Sequence, residues 1–154
     1  MKSAPNPTFA QDVRRSFADQ GALRLIGAEL VLVEPGHCRI RVPNAETVTQ
    51  HHGYFHGGVV GMAADVAGGL AAMTLCEAGM EVLTVEYKIN FLAPGRGVAI
   101  VAAGHVVRSG RTLLVTRMEV DAIDAQGHGT CCAVGQQTIM AVARERVGNG
   151  QGRR

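Results

Sequence analysis

Residues able to do chemistry cluster in one part of the chain. Gln50 precedes the stretch HHGYFHGG (residues 51–58), and the apolar run VVGMAADVAGGLAAMTL (residues 59–75) follows it. Asp65 is the only ionisable residue between 57 and 76. An ionised carboxylate on an otherwise apolar helix is costly unless it is paired. On a helical wheel at about 100° per residue, Asp65 shares its face with Gly58, Gly61, Met62, Gly68, Gly69 and Ala72. Each interior glycine costs about 1 kcal/mol relative to alanine, so their accumulation needs a reason of packing or access. Either helices pack closely there, with Asp65 capping or pairing with an arginine, or the small face makes room for a substrate against a general base. Gly57 and Gly58 fall in the first turn of the same helix. Backbone N–H groups there lack helical partners and sit at the positive end of the dipole. With no side chain, Gly57 lets a carbonyl oxygen approach its N–H, as in an oxyanion site; a tight loop-to-helix turn would also use glycine.

Other chemistries find less support. His51, His52 and His56 with Asp65 suggest a metal site, but Gly53 interrupts any helix there and no second group stands at ligand spacing, so no metal is expected. Cys38, Cys76, Cys131 and Cys132 form no C-x-x-C pair and read as reduced core residues of a cytoplasmic protein. The formal net charge of +2 is too small to argue for nucleic acid. Residues 57–76 are long enough to span a bilayer, but a central Asp65 is costly in lipid, so a buried helix of a soluble protein is expected. The start MKSAPNPTFAQDVRR has no apolar core of a secretory leader.

The elements that must position these residues follow from periodicity. Phe9, Val13 and Phe17 at four-residue spacing predict a short amphipathic helix over 9–19. Strands are expected over 23–34 and 37–43, then a polar loop, then one long buried helix over 57–77. Beyond it, strands are predicted over 83–92, 98–107, 112–123 and 130–142, separated by Gly-containing turns. In the first of these, alternation puts Leu83, Val85, Tyr87, Ile89 and Phe91 on one face and Thr84, Glu86, Lys88 and Asn90 on the other. The fold class is α+β: an antiparallel sheet curled round one central helix. The opposite sheet face then needs a cover, which suggests an oligomer.

The pattern Q-x5-HGG-x6-D, the strand TVEYKINFLAPG and the turn RSGR together resemble the hotdog-fold acyl-CoA thioesterases of the phenylacetate-degradation (PaaI-like) type. The resemblance covers roughly residues 22–141. It implies a hotdog domain over 22–142, flanked by an N-terminal helical segment (1–21) and a flexible basic tail (143–154). It implies hydrolysis of an acyl-CoA to a free acid and CoA, with no cofactor beyond the CoA of the substrate. Asp65 matches the family's acid, acting as nucleophile or as general base towards water. Gly57 matches the residue whose N–H polarises the thioester carbonyl, Gln50 the residue that orients nucleophile or water, and Thr84 a hydroxyl beside the acid. His56 shapes the turn into the helix. Where some relatives carry a Thr one turn after the acid, this chain has Gly69.

The small helix face, with Gly58, Met62 and Gly69, is expected to contact substrate and to admit a medium-chain or aromatic acyl group. Arg108 and Arg111 flanking the SG turn are candidates for the CoA phosphates, with Lys88 and Arg117 as weaker ones. The family places its sites at a homodimer interface and often pairs dimers into tetramers. The alternatives are a hotdog enoyl-CoA hydratase or dehydratase using His56 with Asp65, and a non-catalytic acyl-CoA-binding protein.

Overall fold

The computed structural model describes residues 3–148. Helix α1 (Phe9–Asp19) buries Val13 completely and lays Phe17 against the core, as the four-residue spacing predicts. Ahead of it, Asn6 Oδ1 accepts from the Thr8 N–H at 3.0 Å.

The expected strand over 23–34 begins later than predicted. Gly21–Leu25 forms a short helix, α2, and strand β1 runs only over Glu29–Glu34. Leu23 and Ile26, three apart, both turn into the core from this helical arc. Gly27, with φ of 63°, then reverses the chain in a conformation that favours glycine. Strand β2 is His37–Pro43.

The central helix, α3, is Gly57–Met73, shorter than the predicted 57–77. Thr74 stops it. Its hydroxyl donates to the Ala71 carbonyl at 2.6 Å and accepts from the Gly36 N–H at 2.7 Å, tying the helix end to the β1–β2 turn. The remaining elements are β3 (Met80–Phe91), β4 (Ala99–Ser109), β5 (Leu113–Ile123), β6 (Gly129–Ala143) and α4 (Arg144–Gly148). The rest of the expected tail, 149–154, lies outside the described residues.

The strands form one antiparallel sheet in the order β1-β2-β4-β5-β6-β3, wrapped round α3. Inward-facing Ile40, Val42, Ile100, Ala102, Leu114, Met118 and Ile139 are buried around the helix. Gly104 on β4 meets the helix backbone: a Cβ there would collide with the Ala67 carbonyl and lie 2.6 Å from the Gly68 nitrogen. Strand β3 is an edge strand, and Leu83, Val85, Tyr87 and Phe91 along it remain exposed.

The simple alternation predicted for β3 does not hold. Thr84 pairs with Ile139 and Glu86 with Thr138, so Val85 is an extra residue in a β-bulge. A bulge inserts one residue and resets which face its neighbours occupy. Thr84 therefore faces α3 together with Tyr87 and Phe91, while Glu86, Lys88 and Asn90 line an outward groove with Arg117 and Gln136. Among the described residues no helix is long and apolar enough to cross a membrane.

Candidate active site

The loop before α3 closes on itself. The Gln50 N–H donates to the Tyr54 carbonyl at 2.8 Å, the Gly53 N–H to the Gln50 carbonyl at 2.8 Å, and the His56 N–H to the Val48 carbonyl at 2.9 Å. Gly53, with φ of 79°, makes the reversal possible. His56 is the N-cap of α3, and its Nδ1 accepts from the Gly58 N–H at 2.9 Å. One orphan donor of the first turn is thereby satisfied. The Gly57 N–H has no hydrogen bond among the described residues and stands at the positive end of the helix.

Gly57 and Gln50 line one cleft, together with Tyr54, Phe91, Pro94 and Cys132. A Cβ on Gly57 would come 3.3 Å from the Phe91 ring. The Gln50 side chain is turned towards its own loop, with Oε1 accepting from the His52 N–H. Arg96 donates to the Tyr54 hydroxyl and lies 4.8 Å over its ring, at the edge of the same loop. Burial and the neighbouring Cys131 push the Cys132 thiol up to about 11, so it is a protonated wall rather than a thiolate. Cys38 and Cys76 are also buried, whereas Cys131 is exposed, unlike the core position expected of it. His51 and His52 lie against each other in the exposed loop, with ring centroids 3.9 Å apart and the rings tilted by 45°. No group of three or more metal-ligating side chains gathers among the described residues.

Asp65 lies further along α3, in a second cleft of about 310 Å³ lined by Ser16 of α1 and Gln20 just after it, Val66, Gly69 and Leu70 of α3, and Val82, Leu83 and Thr84 of β3. The Thr84 hydroxyl donates to Asp65 Oδ1 at 2.8 Å. The bulge at Val85 makes this contact possible by turning Thr84 inward. Gln137 of β6 donates from Nε2 to the same Oδ1 and to Thr84 Oγ1 at 2.9 Å. No arginine pairs with Asp65 among the described residues, so the ion-paired structural reading fails.

Gln137 escaped sequence reasoning. Its signal is a polar residue at an inward position of a strand, between Gly135 and Ile139, but that parity is legible only once the β6 register is known.

The four glycines expected beside Asp65 differ, and only Gly69 faces open space. A Cβ at Gly69 would meet nothing within 4 Å, and one at Gly61 would meet the Tyr87 hydroxyl at 3.1 Å. Gly68 instead faces Gln137 and Thr116, Gly58 sits over His56, and Ala72 is fully buried. Met62 is half-buried on α3.

The basic candidates are dispersed. Arg111 lines a hollow with Leu75 and Cys76, beyond the C-terminal end of α3. At about 1.5 Å per residue this is some 24 Å along the helix from Gly57. Arg108 stands on β4 just before that turn. Lys88 donates to Asn90 at 2.6 Å on the outward sheet face, away from Asp65.

The chain is similar to known proteins over most of its length. The thioesterase superfamily family model matches residues 52–127. A relative in Saccharolobus solfataricus, named as an esterase, is 35% identical over 123 residues, 80% of this chain and 85% of its own length. The 1,4-dihydroxy-2-naphthoyl-CoA hydrolase of Listeria monocytogenes is 29% identical over 100 residues, 65% of this chain and 81% of its own. Among solved structures, a thioesterase family protein from Silicibacter pomeroyi superposes with a TM-score of 0.85 at 38% identity, covering 88% of this chain and 98% of that one. The PaaI protein of the Escherichia coli phenylacetic acid degradation operon shares the fold, with a TM-score of 0.78 at 17% identity, covering 91% and 97%. The sheet curled round α3 is that of the hotdog thioesterases, and the chain belongs to the thioesterase superfamily.

Proposed function

We propose that this protein hydrolyses acyl-CoA thioesters, with Asp65 as the reacting carboxylate and the Gly57 N–H as the donor to the thioester oxygen. The observation that carries this reading is the state of Asp65: a carboxylate on an apolar helix, held by Thr84 and Gln137 through one oxygen, opening on a cleft with free space at Gly69. As a nucleophile, a carboxylate oxygen bonds to the thioester carbon, the C–S bond breaks, CoA leaves as the thiolate and takes up a proton, and water then hydrolyses the mixed anhydride. As a general base, Asp65 takes a proton from the water that attacks the same carbon. Both routes place negative charge on the thioester oxygen, where a backbone N–H stabilises it.

Gly57 and Asp65 are eight residues apart on one helix, about 12 Å at its rise per residue. Each must stand within about 3 Å of atoms of the same thioester group. One chain alone does not bring them that close, which supports a homodimer in which Gly57 and Gln50 of one copy work with Asp65 and Thr84 of the other. The unpaired edge of β3 and its exposed Val85, Tyr87 and Phe91 support pairing along that strand. Exposed Leu83, Met140 and Leu113 stand opposite one another across β3, β6 and β5, which supports joining two dimers through the outer sheet face. The acyl group lies in the Asp65 cleft, past Met62 and Gly69 towards Ser16 of α1 and Gln20 just after it. The naphthoyl-CoA named for the Listeria relative supports an aromatic acyl group of that size. The CoA phosphates meet Arg108, Arg111 or Lys88, and the free cysteines support a reducing, cytoplasmic setting.

The test is Asp65→Asn, assayed by free-thiol release over short, medium, long and aromatic acyl-CoAs. The expected result is a loss of about a thousandfold with an unchanged melting temperature. Near-normal turnover of any of these thioesters by the variant sinks the reading.

A further inference from the structure

We infer that Gln137 is a positioning residue for thioester hydrolysis: its buried amide fixes Asp65 through Oδ1 and leaves Oδ2 as the reacting oxygen. The inference rests on the reading of Asp65 as the reacting group.

Gln137 is fully buried on the inward face of β6. Its Nε2 donates to Asp65 Oδ1, to Thr84 Oγ1 at 2.9 Å and to the Asp65 backbone carbonyl at 3.2 Å. Its Oε1 accepts from the Thr116 hydroxyl at 3.0 Å, and Thr116 is itself fully buried. Chemistry decides which way the amide points. The reverse orientation would set a carbonyl oxygen against a carboxylate and a backbone carbonyl, neither of which can donate. Thr84 is fixed in the same way: it accepts from Gln137 and spends its proton on Asp65 Oδ1. Both donors converge on Oδ1, and no hydrogen bond reaches Oδ2 among the described residues. The carboxylate is thus held in one rotation about its last bond, with Oδ2 left free of hydrogen bonds among the described residues.

The chain accommodates this amide at a cost. A Cβ on Gly68 would collide with Gln137 Oε1 and lie 2.8 Å from Thr116 Oγ1. A glycine in the middle of α3 therefore opens the path by which Gln137 reaches the helix. Leu or Met at 137 would fill the core without a buried amide to satisfy. Gln137, Thr116 and Gly68 together make sense as a device for aiming a carboxylate.

The test compares Gln137→Met, which keeps length and removes the donor, with Gln137→Glu, which puts an oxygen where the amide nitrogen faces Asp65. In steady-state hydrolysis of the acyl-CoA turned over best by the wild type, Gln137→Met is expected to lower kcat about tenfold to a hundredfold, with KM within about twofold. Gln137→Glu is expected to lose more at about pH 8 and to recover relative to wild type towards about pH 6, because the new carboxyl, once protonated, can donate to Asp65. A merely structural role would change the melting temperature without this pH signature. A folded Gln137→Met with kcat within about twofold of wild type overturns the inference. Should the substitutions at 137 fail to fold, Thr116→Val decides: it touches neither Asp65 nor substrate, loosens the amide by removing the donor to its Oε1, and must lower kcat about threefold or more. Asp65→Asn runs in the same assay. If it stays active, the underlying reading fails; if it is inactive while Gln137→Met keeps full kcat, only the role of Gln137 falls.

Discussion

Helix α3 carries two stripes of small residues at four-residue spacing, and they do opposite things. Ala63, Ala67 and Ala71 form one stripe and are all buried. There the helix backbone touches β4, since a Cβ on Gly104 would collide with the Ala67 carbonyl. Gly57, Gly61, Asp65 and Gly69 form the other stripe and face β3: Gly57 lies under Phe91, Gly61 by the Tyr87 hydroxyl, Asp65 against Thr84, and Gly69 against nothing. Small size serves backbone contact in the first stripe; in the second it admits the aromatic rings of β3 at Gly57 and Gly61 and leaves open space at Gly69. Alanine suits the closed side because it costs little in a helix. The open side accepts the cost of glycine, and the only charge on the helix sits in its midst.

The closed stripe is the easier to break. Gly104→Val is expected to destabilise the protein by about 3 kcal/mol, because both colliding partners are backbone and cannot step aside. Urea denaturation measures this, and turnover per folded molecule should stay near wild type. A loss below about 0.5 kcal/mol would mean that the two stripes are equally loose.

Gly68 lies between the stripes and tests whether they communicate. Gly68→Ala is expected to cost about 2 kcal/mol and to lower kcat as well, since the new Cβ displaces the Gln137 amide from Asp65. Loss of stability with full kcat would separate packing from chemistry at this point.

The same residues show how far the sequence was legible. The long apolar helix, its acid and the order of the following strands are visible because periodicity and turn residues carry them. The wheel grouped Gly68 and Ala72 with Asp65, although Ala72 is fully buried and Gly68 serves Gln137. A wheel assigns neighbours by angle alone and does not know where a curled sheet closes in. The partnership of Thr84 with Asp65 depends on the bulge at Val85, which the residues 83–92 do not announce. Gln137 was hidden for a related reason: β6 and β5 slip register between Val120 and Asp121, so inward parity cannot be read from the strand's own residues.

On the open stripe, Thr84→Val removes a hydroxyl that donates to Asp65 while preserving bulk. It is expected to lower kcat about tenfold with little change in stability, because Thr84 is exposed in the single chain. Thiol-release kinetics beside a thermal melt checks this. A fall in melting temperature at constant kcat would make Thr84 a structural link between β3 and α3.

Gly69→Ala has the smallest expected effect and addresses the comparison most directly. In a closed stripe an added methyl group collides; at Gly69 it would meet nothing within 4 Å. Helix propensity then acts alone, and the substitution is expected to stabilise the protein by up to about 1 kcal/mol. The methyl group would project into the cleft that holds Asp65, so bulkier acyl groups should lose kcat/KM while the shortest are spared. A panel of acyl-CoAs and a denaturation curve give both numbers. Destabilisation would mean that the space beside Gly69 is filled in solution by another chain rather than kept for substrate.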